Sequence, residues 1–128
     1  MDEAAFRAYA KAWRRRQMDE ERSRVQRARR AREVAETVAR MLVREYGAEE
    51  VWLFGSLARR QESYIHSDID LAATGLPARE FFRILSRVNA VSQFAIDLVD
   101  LEACPTGLAT VIRREGRILA RREAKSGG

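Results

Sequence analysis

Residues 51–74, VWLFGSLARRQESYIHSDIDLAAT, contain the pattern that decides the fold of this chain. An apolar run ends on Gly-Ser at 55–56, a polar stretch follows, and a second apolar run begins with Asp68 and Asp70. Side chains two residues apart on a strand point to one face, so these two carboxylates would stand side by side. Carboxylates about 6 Å apart repel by roughly 3 kcal/mol at an effective dielectric of about 20. The pattern therefore predicts a cation site.

One or two Mg²⁺ ions would convert that repulsion into binding energy. Two ions about 3.5–4 Å apart can stabilise both the attacking and the leaving oxygen of an in-line displacement. The alternative is a strand-end pair of carboxylates that caps loop amides or faces solvent.

The dipeptide Gly55-Ser56 suits a phosphate. Glycine lets the backbone approach a phosphate closely, and Ser56 would offer its hydroxyl and amide at a helix N-terminus, where the dipole favours anions. A plain N-cap serine is the alternative. Together with Asp68 and Asp70, the dipeptide indicates a nucleotidyltransferase.

Asp97 stands among apolar residues in FAIDLVDL, residues 94–101, which we interpret as a third strand. A lone aspartate in a buried strand is costly unless it is paired or liganded. If this strand lies beside the Asp68–Asp70 strand, Asp97 completes a three-carboxylate site as metal ligand or general base. The alternative is an aspartate satisfied by backbone amides. For Asp100, at the strand end, we predict a structural role.

Two further residues belong to the same region. Arg59 could reach a nucleotide phosphate from the short helix, or be a solvated arginine. His66 has no Cys or His partners for a zinc site, which favours a surface-loop role.

Composition narrows the class of protein. A chain of 128 residues with one cysteine, Cys104, suits one domain without a disulfide. No apolar run approaches 18 residues, and the acidic start MDEAAFRAYAKAWRRR argues against a secretory signal. We therefore expect a cytoplasmic protein. The net charge is +5, but residues 47–112 carry five basic against nine acidic residues, which suits a divalent cation at the centre.

The order of elements predicts an α/β fold, a small mixed sheet flanked by helices with a helical extension at the N-terminus. We predict that the strand at residues 49–54 is buried on both faces. We predict an arginine-rich helical arm at 1–29, a catalytic domain at 30–122 and a disordered tail at 123–128. The predicted domain elements are a helix at 30–46, strands at 49–54, 68–74 and 94–101, helices at 56–60, 78–91 and 105–115, a loop at 61–67 and a closing strand at 117–120.

The arm contains two patterns. Phe6, Tyr9 and Trp13 recur as an aromatic stripe of about two turns, and arginines dominate residues 14–32. The arginines form either a solvated helical face or a docking arm for a partner protein or RNA. The aromatic stripe favours a protein.

With these residues in place, the chain resembles the minimal nucleotidyltransferases (MNT) of the DNA polymerase β superfamily, and among them the MNT antitoxins encoded beside HEPN ribonuclease toxins. The match covers residues 34–120. GSLARRQESYIHSDIDL follows the family pattern of Gly-Ser, about ten residues and Asp-X-Asp, and FAIDLVDL resembles the third-carboxylate strand. LATVIRREGRIL resembles the final helix and strand.

This resemblance implies a polymerase-β-like nucleotidyltransferase fold. It implies that Gly55 and Ser56 bind the triphosphate of ATP, and that Asp68, Asp70 and Asp97 are catalytic and hold two Mg²⁺ ions. It further implies that AMP is transferred to a hydroxyl, such as that of a tyrosine, on a HEPN-like toxin with which the chain forms a hetero-oligomer. The 11-residue linker, with Arg60 where a glycine is common, departs from the family pattern, and the arm lies outside it.

Three other functions stay open at this stage. They are a nucleotidyltransferase with a small-molecule acceptor such as an aminoglycoside, a non-catalytic antitoxin that neutralises its partner by contact, and a nucleic-acid-binding protein with a vestigial site. Small-molecule enzymes usually carry an extra helical domain, for which these 128 residues show no pattern.

Overall fold

The computed structural model of the chain describes residues 2–59 and 68–124. The chain divides into two compact units, Met1–Arg30 and Ala31–Gly128. The first helix, α1 (Glu3–Tyr46), is a single helical span whose first part belongs to the first unit and whose last part belongs to the second. None of the helices in the described ranges combines the length and apolarity that a membrane span requires.

The second unit contains one four-stranded sheet with the order β3-β2-β1-β4. β1 pairs antiparallel with both β2 and β4, whereas β2 pairs parallel with β3. The sheet is therefore mixed, as predicted. The strands are β1 (Glu50–Phe54), β2 (Ile69–Thr74), β3 (Ile96–Asp100) and β4 (Arg117–Arg121).

Three helices connect these strands within the described residues. α2 (Gly55–Arg59) follows β1 directly, and α4 (Thr106–Glu115) leads into β4. α3 (Phe81–Val91), preceded by a 3₁₀ turn at Ala78–Glu80, joins the parallel strands β2 and β3. Parallel neighbours need such a crossover because a tight hairpin cannot return the chain in the same direction.

The core of this unit lies on both sides of the sheet. On β2, Leu71 is fully buried on one face, and Ala72 on the opposite face forms a buried cluster with Leu101 and with Ile112 of α4. The largest fully buried side chains are Leu42, Val51, Ile69, Leu71, Ile84, Val88 and Ile112. Leu42 lies within the helix predicted at residues 30–46.

Two sequence-based expectations of burial were wrong in part. β1 is not buried evenly on both faces, because Val51 and Leu53 are buried whereas Trp52 and Phe54 are partly exposed. β3 is an edge strand, and Asp97 is exposed rather than enclosed. The apolar neighbours of Asp97, Ile96 and Leu98, point to the buried face, so the strand alternates as a one-sided strand does.

Three predictions fall on residues outside the described ranges. They are the polar loop at 61–67, the role of His66 within it, and the end of the tail at 125–128. The predicted domain boundaries at 29/30 and 122/123 stay predictions.

Candidate active site

The parallel pairing of β2 and β3 brings two of the predicted carboxylates together. Asp70 and Asp97 are direct partners in the register of these strands. Neighbouring strands lie about 4.8 Å apart, and partners in register point to the same face of the sheet. The condition under which Asp97 would join the acidic pair, that its strand lies beside the strand of Asp70, is therefore met.

Asp70 and Asp97 lie on the face of the sheet that packs against α4, at the edge of that contact. Ala72 and Val99 stand two residues further along the same faces, and they pack in the cluster that includes Ile112 of α4. Asp70 is partly exposed and Asp97 is exposed. The site thus contains two solvent-accessible carboxylates beside an apolar cluster that packs against α4.

Gly55 lies directly against Asp70. It has a φ of 75°, in the left-handed region that favours glycine. A Cβ added there would stand less than 3.0 Å from Asp70 Oδ2 and 3.1 Å from its Cγ. This contact follows from the strand pairing, because Phe54, the residue before Gly55, is the register partner of Asp70 on β2. The glycine therefore brings the start of α2 against the carboxylate.

The other residues predicted to bind phosphate are on α2. Ser56 is the second residue of this helix and is partly exposed, and Arg59 is its last residue. The side chain of Arg59 lies outside the described part of the structure. α2 has five residues, so any anion here would be bound by the backbone N–H groups at its start and the Ser56 hydroxyl rather than by a long helix dipole.

Asp68 is positioned by the segment before β3. Its Oδ2 accepts a hydrogen bond of 3.1 Å from the amide of Ala95, and its own amide donates to the Ala95 carbonyl at 3.0 Å. This is the amide-capping geometry that we considered as the alternative for the acidic pair. A carboxylate has about four lone-pair sites, so the bond from Ala95 occupies only part of its acceptor capacity.

Asn89 is a positioning residue that the sequence analysis missed. Its Nδ2 donates to the Ile96 carbonyl at 2.9 Å, and its Oδ1 accepts from the Ile96 amide at 2.9 Å. The side chain thus mimics a neighbouring strand at the start of β3, one residue before Asp97. The sequence signal is an asparagine in the last turn of the amphipathic helix α3.

Asp100 is the last residue of β3, and it accepts hydrogen bonds from the turn that follows the strand. Its Oδ1 accepts from the amide of Glu102 at 2.9 Å, and its carbonyl accepts from Ala103 and Cys104. These bonds agree with the structural role predicted for Asp100.

The residues present fit a Mg²⁺ ion by their chemistry. Asp68, Asp70 and Asp97 offer only carboxylate oxygens, the hard donors that Mg²⁺ prefers, and two of them are in register. In residues 2–59 and 68–124, no group of three or more His, Cys, Asp or Glu side chains lies close enough together to hold a metal ion.

The family follows from a match to known sequences. The family model for polymerase beta nucleotidyltransferases matches residues 36–125, which include β1, both acidic strands and α4. The chain belongs to this nucleotidyltransferase family. The predicted family, fold class and enzyme class, nucleotidyltransferase, are thereby confirmed. No curated protein matches the chain significantly.

Solved structures with the same fold include toxin–antitoxin complexes. One, a toxin–antitoxin with AMP-PNP, has a TM-score of 0.58 and 24% identity, over 69% of this chain and 74% of that chain. Another, MntA-HepT, has a TM-score of 0.54 and 22% identity, over 70% and 72%. A protein assigned as a nucleotidyltransferase from Sulfolobus solfataricus has a TM-score of 0.51 and 20% identity, over 77% and 86%. At these identities, the similarity shows the fold of this nucleotidyltransferase.

Proposed function

We propose that this nucleotidyltransferase transfers AMP from ATP to a hydroxyl, that of a tyrosine, on a partner protein, and thereby acts as antitoxin to a HEPN-like ribonuclease toxin in the cytoplasm. The observation that carries the proposal is the in-register pair Asp70 and Asp97, with Gly55 packed against Asp70. The family and the fold shared with toxin–antitoxin chains support the choice of reaction and partner.

The bonds change as follows in the proposed reaction. The acceptor hydroxyl oxygen attacks the α-phosphorus of ATP, the bond from that phosphorus to the bridging oxygen breaks, and pyrophosphate leaves. Asp97 takes the hydroxyl proton, for which its exposed position on an edge strand gives access. The acceptor thus carries AMP through a phosphodiester bond.

The residues of the site also bind and position the nucleotide in this proposal. Gly55 and Ser56 present backbone amides and a hydroxyl to the triphosphate, and Arg59 contributes a positive charge to it. Asp68, Asp70 and Asp97 would hold two Mg²⁺ ions, which supply positive charge to the phosphate oxygens when bound. Holding both reactants in one geometry contributes to the rate because it removes the entropic cost of their encounter.

The test of this proposal is a labelling experiment. The chain is incubated with α-³²P-labelled ATP, Mg²⁺ and the product of the adjacent gene, which the proposal requires to be HEPN-like. We expect label on the partner's tyrosine with the wild type, none with the double variant Asp68→Ala/Asp70→Ala, and undiminished label with Asp100→Asn, which changes a carboxylate outside the site. Chelation by EDTA should abolish the labelling.

Other outcomes separate the rival functions. Absence of label, together with a complex that forms equally well with the double variant, would replace the proposal by neutralisation through contact alone. Label on a panel of aminoglycosides but on no protein would indicate a small-molecule acceptor.

A further inference from the structure

The first unit of the chain contains apolar surface that the nucleotidyltransferase site does not use. Phe6, Tyr9 and Trp13 of α1 are 61%, 59% and 50% exposed. Their spacing of three and four residues places them on one face of the helix. Each aromatic side chain can bury about 150–250 Å², so this aromatic stripe, as we name these three residues, is a costly surface to leave in water.

The opposite face of the same helix segment is basic. A shallow groove there is lined by four basic residues together with Met18 and one acidic residue, Asp19; the basic residues are Lys11, Arg14, Arg15 and Arg22. Lys11 is two residues from Tyr9 and from Trp13, a rotation of about 200° around the helix. A flat ligand cannot contact the aromatic stripe and this basic face at once.

The charge of the whole chain is concentrated in this unit. Residues 1–30 carry ten Lys and Arg against five Asp and Glu, a net charge of +5. Residues 31–128 carry fourteen of each and have no net charge. A partner of this unit is therefore favoured if it is acidic, and two copies of the unit repel each other.

The stripe is also short. The positions that would continue it beyond Trp13 are occupied by the polar residues Gln17 and Glu20. A helix that lies in a membrane surface needs a longer apolar face. RNA would be bound through the arginines and would leave the stripe in water, whereas a protein groove would bury the stripe and leave the basic face solvated at no cost.

We propose that the helix segment Glu3–Arg16 docks into an apolar groove, bordered by carboxylates, on the acceptor protein of the proposed transfer. This inference rests on the proposed function for the identity of the partner. The stripe fills the groove, as in other complexes in which a helix binds through anchors about one turn apart, and the basic side chains speed the encounter. The arm thus selects the acceptor for a catalytic domain that is electrically neutral.

Tryptophan fluorescence provides the direct test. Trp52→Phe leaves Trp13 as the sole tryptophan, and the Trp52 indole N–H has no hydrogen-bond partner among the described residues, so no bond is broken. Adding the protein that is tested for labelling in the transfer assay should shift the Trp13 emission to the blue. Duplex RNA of 20 base pairs, or vesicles of phosphatidylcholine and phosphatidylserine, should not; a shift with either of these and none with the protein would overturn the inference.

Affinity measurements with the unmodified chain and its variants complete the test. Phe6→Ala/Tyr9→Ala/Trp13→Ala, which preserves helix propensity, should weaken binding in calorimetry by at least thirtyfold. The matched control Phe82→Ala removes an 80% exposed aromatic from α3 and should change nothing. Lys11→Glu/Arg15→Glu/Arg22→Glu should slow association about tenfold at low salt.

The labelling assay separates this inference from the proposed function. If the triple alanine variant binds and labels the partner as the wild type does, the docking inference is wrong and the transfer stands. If the stripe is buried by the partner and no AMP is transferred, the docking stands and the proposed function fails.

Discussion

The carboxylate of Asp70 occupies the space that a side chain on Gly55 would fill. This contact brings together the two parts of the sequence pattern, the Gly-Ser turn and the acidic pair. Gly55 and Asp68, where these two parts begin, are 13 residues apart along the chain. It also explains why a glycine is needed here for two separate reasons, its backbone conformation and its lack of a Cβ.

Gly55→Ala therefore tests the contact, and Gly47→Ala is its matched control. Both glycines have a φ of 75°, and an alanine at either position should cost about 1 kcal/mol for the left-handed conformation. A Cβ at Gly47 meets nothing within 4 Å, so Gly55→Ala should cost about 1–3 kcal/mol more, as overpacking does. Thermal unfolding measures the difference, and AMP transfer should be lost with Gly55→Ala alone.

Coupling between the two residues provides the counter-check. In the Gly55→Ala background, Asp70→Ala removes the carboxylate that the new Cβ meets and should recover part of the stability. Equal free energies of unfolding for Gly47→Ala and Gly55→Ala would show that the contact with Asp70 has no energetic weight.

Asp97→Asn should have opposite effects on stability and activity. The substitution removes the repulsion between two carboxylates in register, which is unfavourable by about 0.2–1 kcal/mol in cross-strand pairs. The metal-free protein should therefore become slightly more stable, while its stabilisation by added Mg²⁺ should become smaller and its transfer rate should fall at least tenfold. Differential scanning fluorimetry across a Mg²⁺ titration measures the two stabilities, and the labelling assay measures the transfer rate.

The control for that experiment is on the same strand. Asp100→Asn replaces the carboxylate that accepts from the Glu102 amide, and should leave the Mg²⁺ dependence unchanged. An Asp97→Asn variant with an undiminished response to Mg²⁺ would remove Asp97 from the set of metal ligands.

Asp68→Asn and Asp68→Ala separate the two roles of Asp68. The asparagine retains an oxygen that can accept from the Ala95 amide, the bond of 3.1 Å seen here, so stability should change little. The alanine loses this bond as well and should cost about 1 kcal/mol. Both should abolish labelling of the partner. Full activity of Asp68→Asn would mean that Asp68 only caps the loop before β3.

The sequence predicted those parts of the site that depend on local periodicity. The position of Asp70 within a strand and the Gly-Ser turn after an apolar run that ends at Phe54 are such parts. The shared face of Asp68 and Asp70 stays a prediction, because β2 begins at Ile69 and Asp68 precedes it. The adjacency of Asp70 and Asp97 could be stated only as a condition, because strand order depends on how the crossover helix α3 packs.

Other features could not be predicted because they depend on distant contacts. An apolar run such as residues 94–101 is compatible with both a central and an edge strand, so the exposure of Asp97 was missed. The contact of Gly55 with Asp70 depends on the register of β1 and β2, which a one-residue slip would abolish. The resemblance to the family supplied the remaining assignments, and the match to residues 36–125 confirmed the family.

Asn89→Ala should reduce both stability and transfer, because Asn89 holds the residue next to Asp97. The variant loses the two bonds to Ile96 and the bond to the Leu85 carbonyl at 3.0 Å, at a cost of about 1–3 kcal/mol.

Ser86→Ala, an exposed change on the same helix, is the control. Asn89→Asp keeps an acceptor for the Ile96 amide and loses the donor to the Ile96 carbonyl, so its activity should lie between that of Asn89→Ala and that of the wild type. Transfer rates are compared well below the melting temperature of each variant. A folded Asn89→Ala protein with the wild-type transfer rate would show that the bonds between Asn89 and Ile96 stabilise β3 without positioning Asp97.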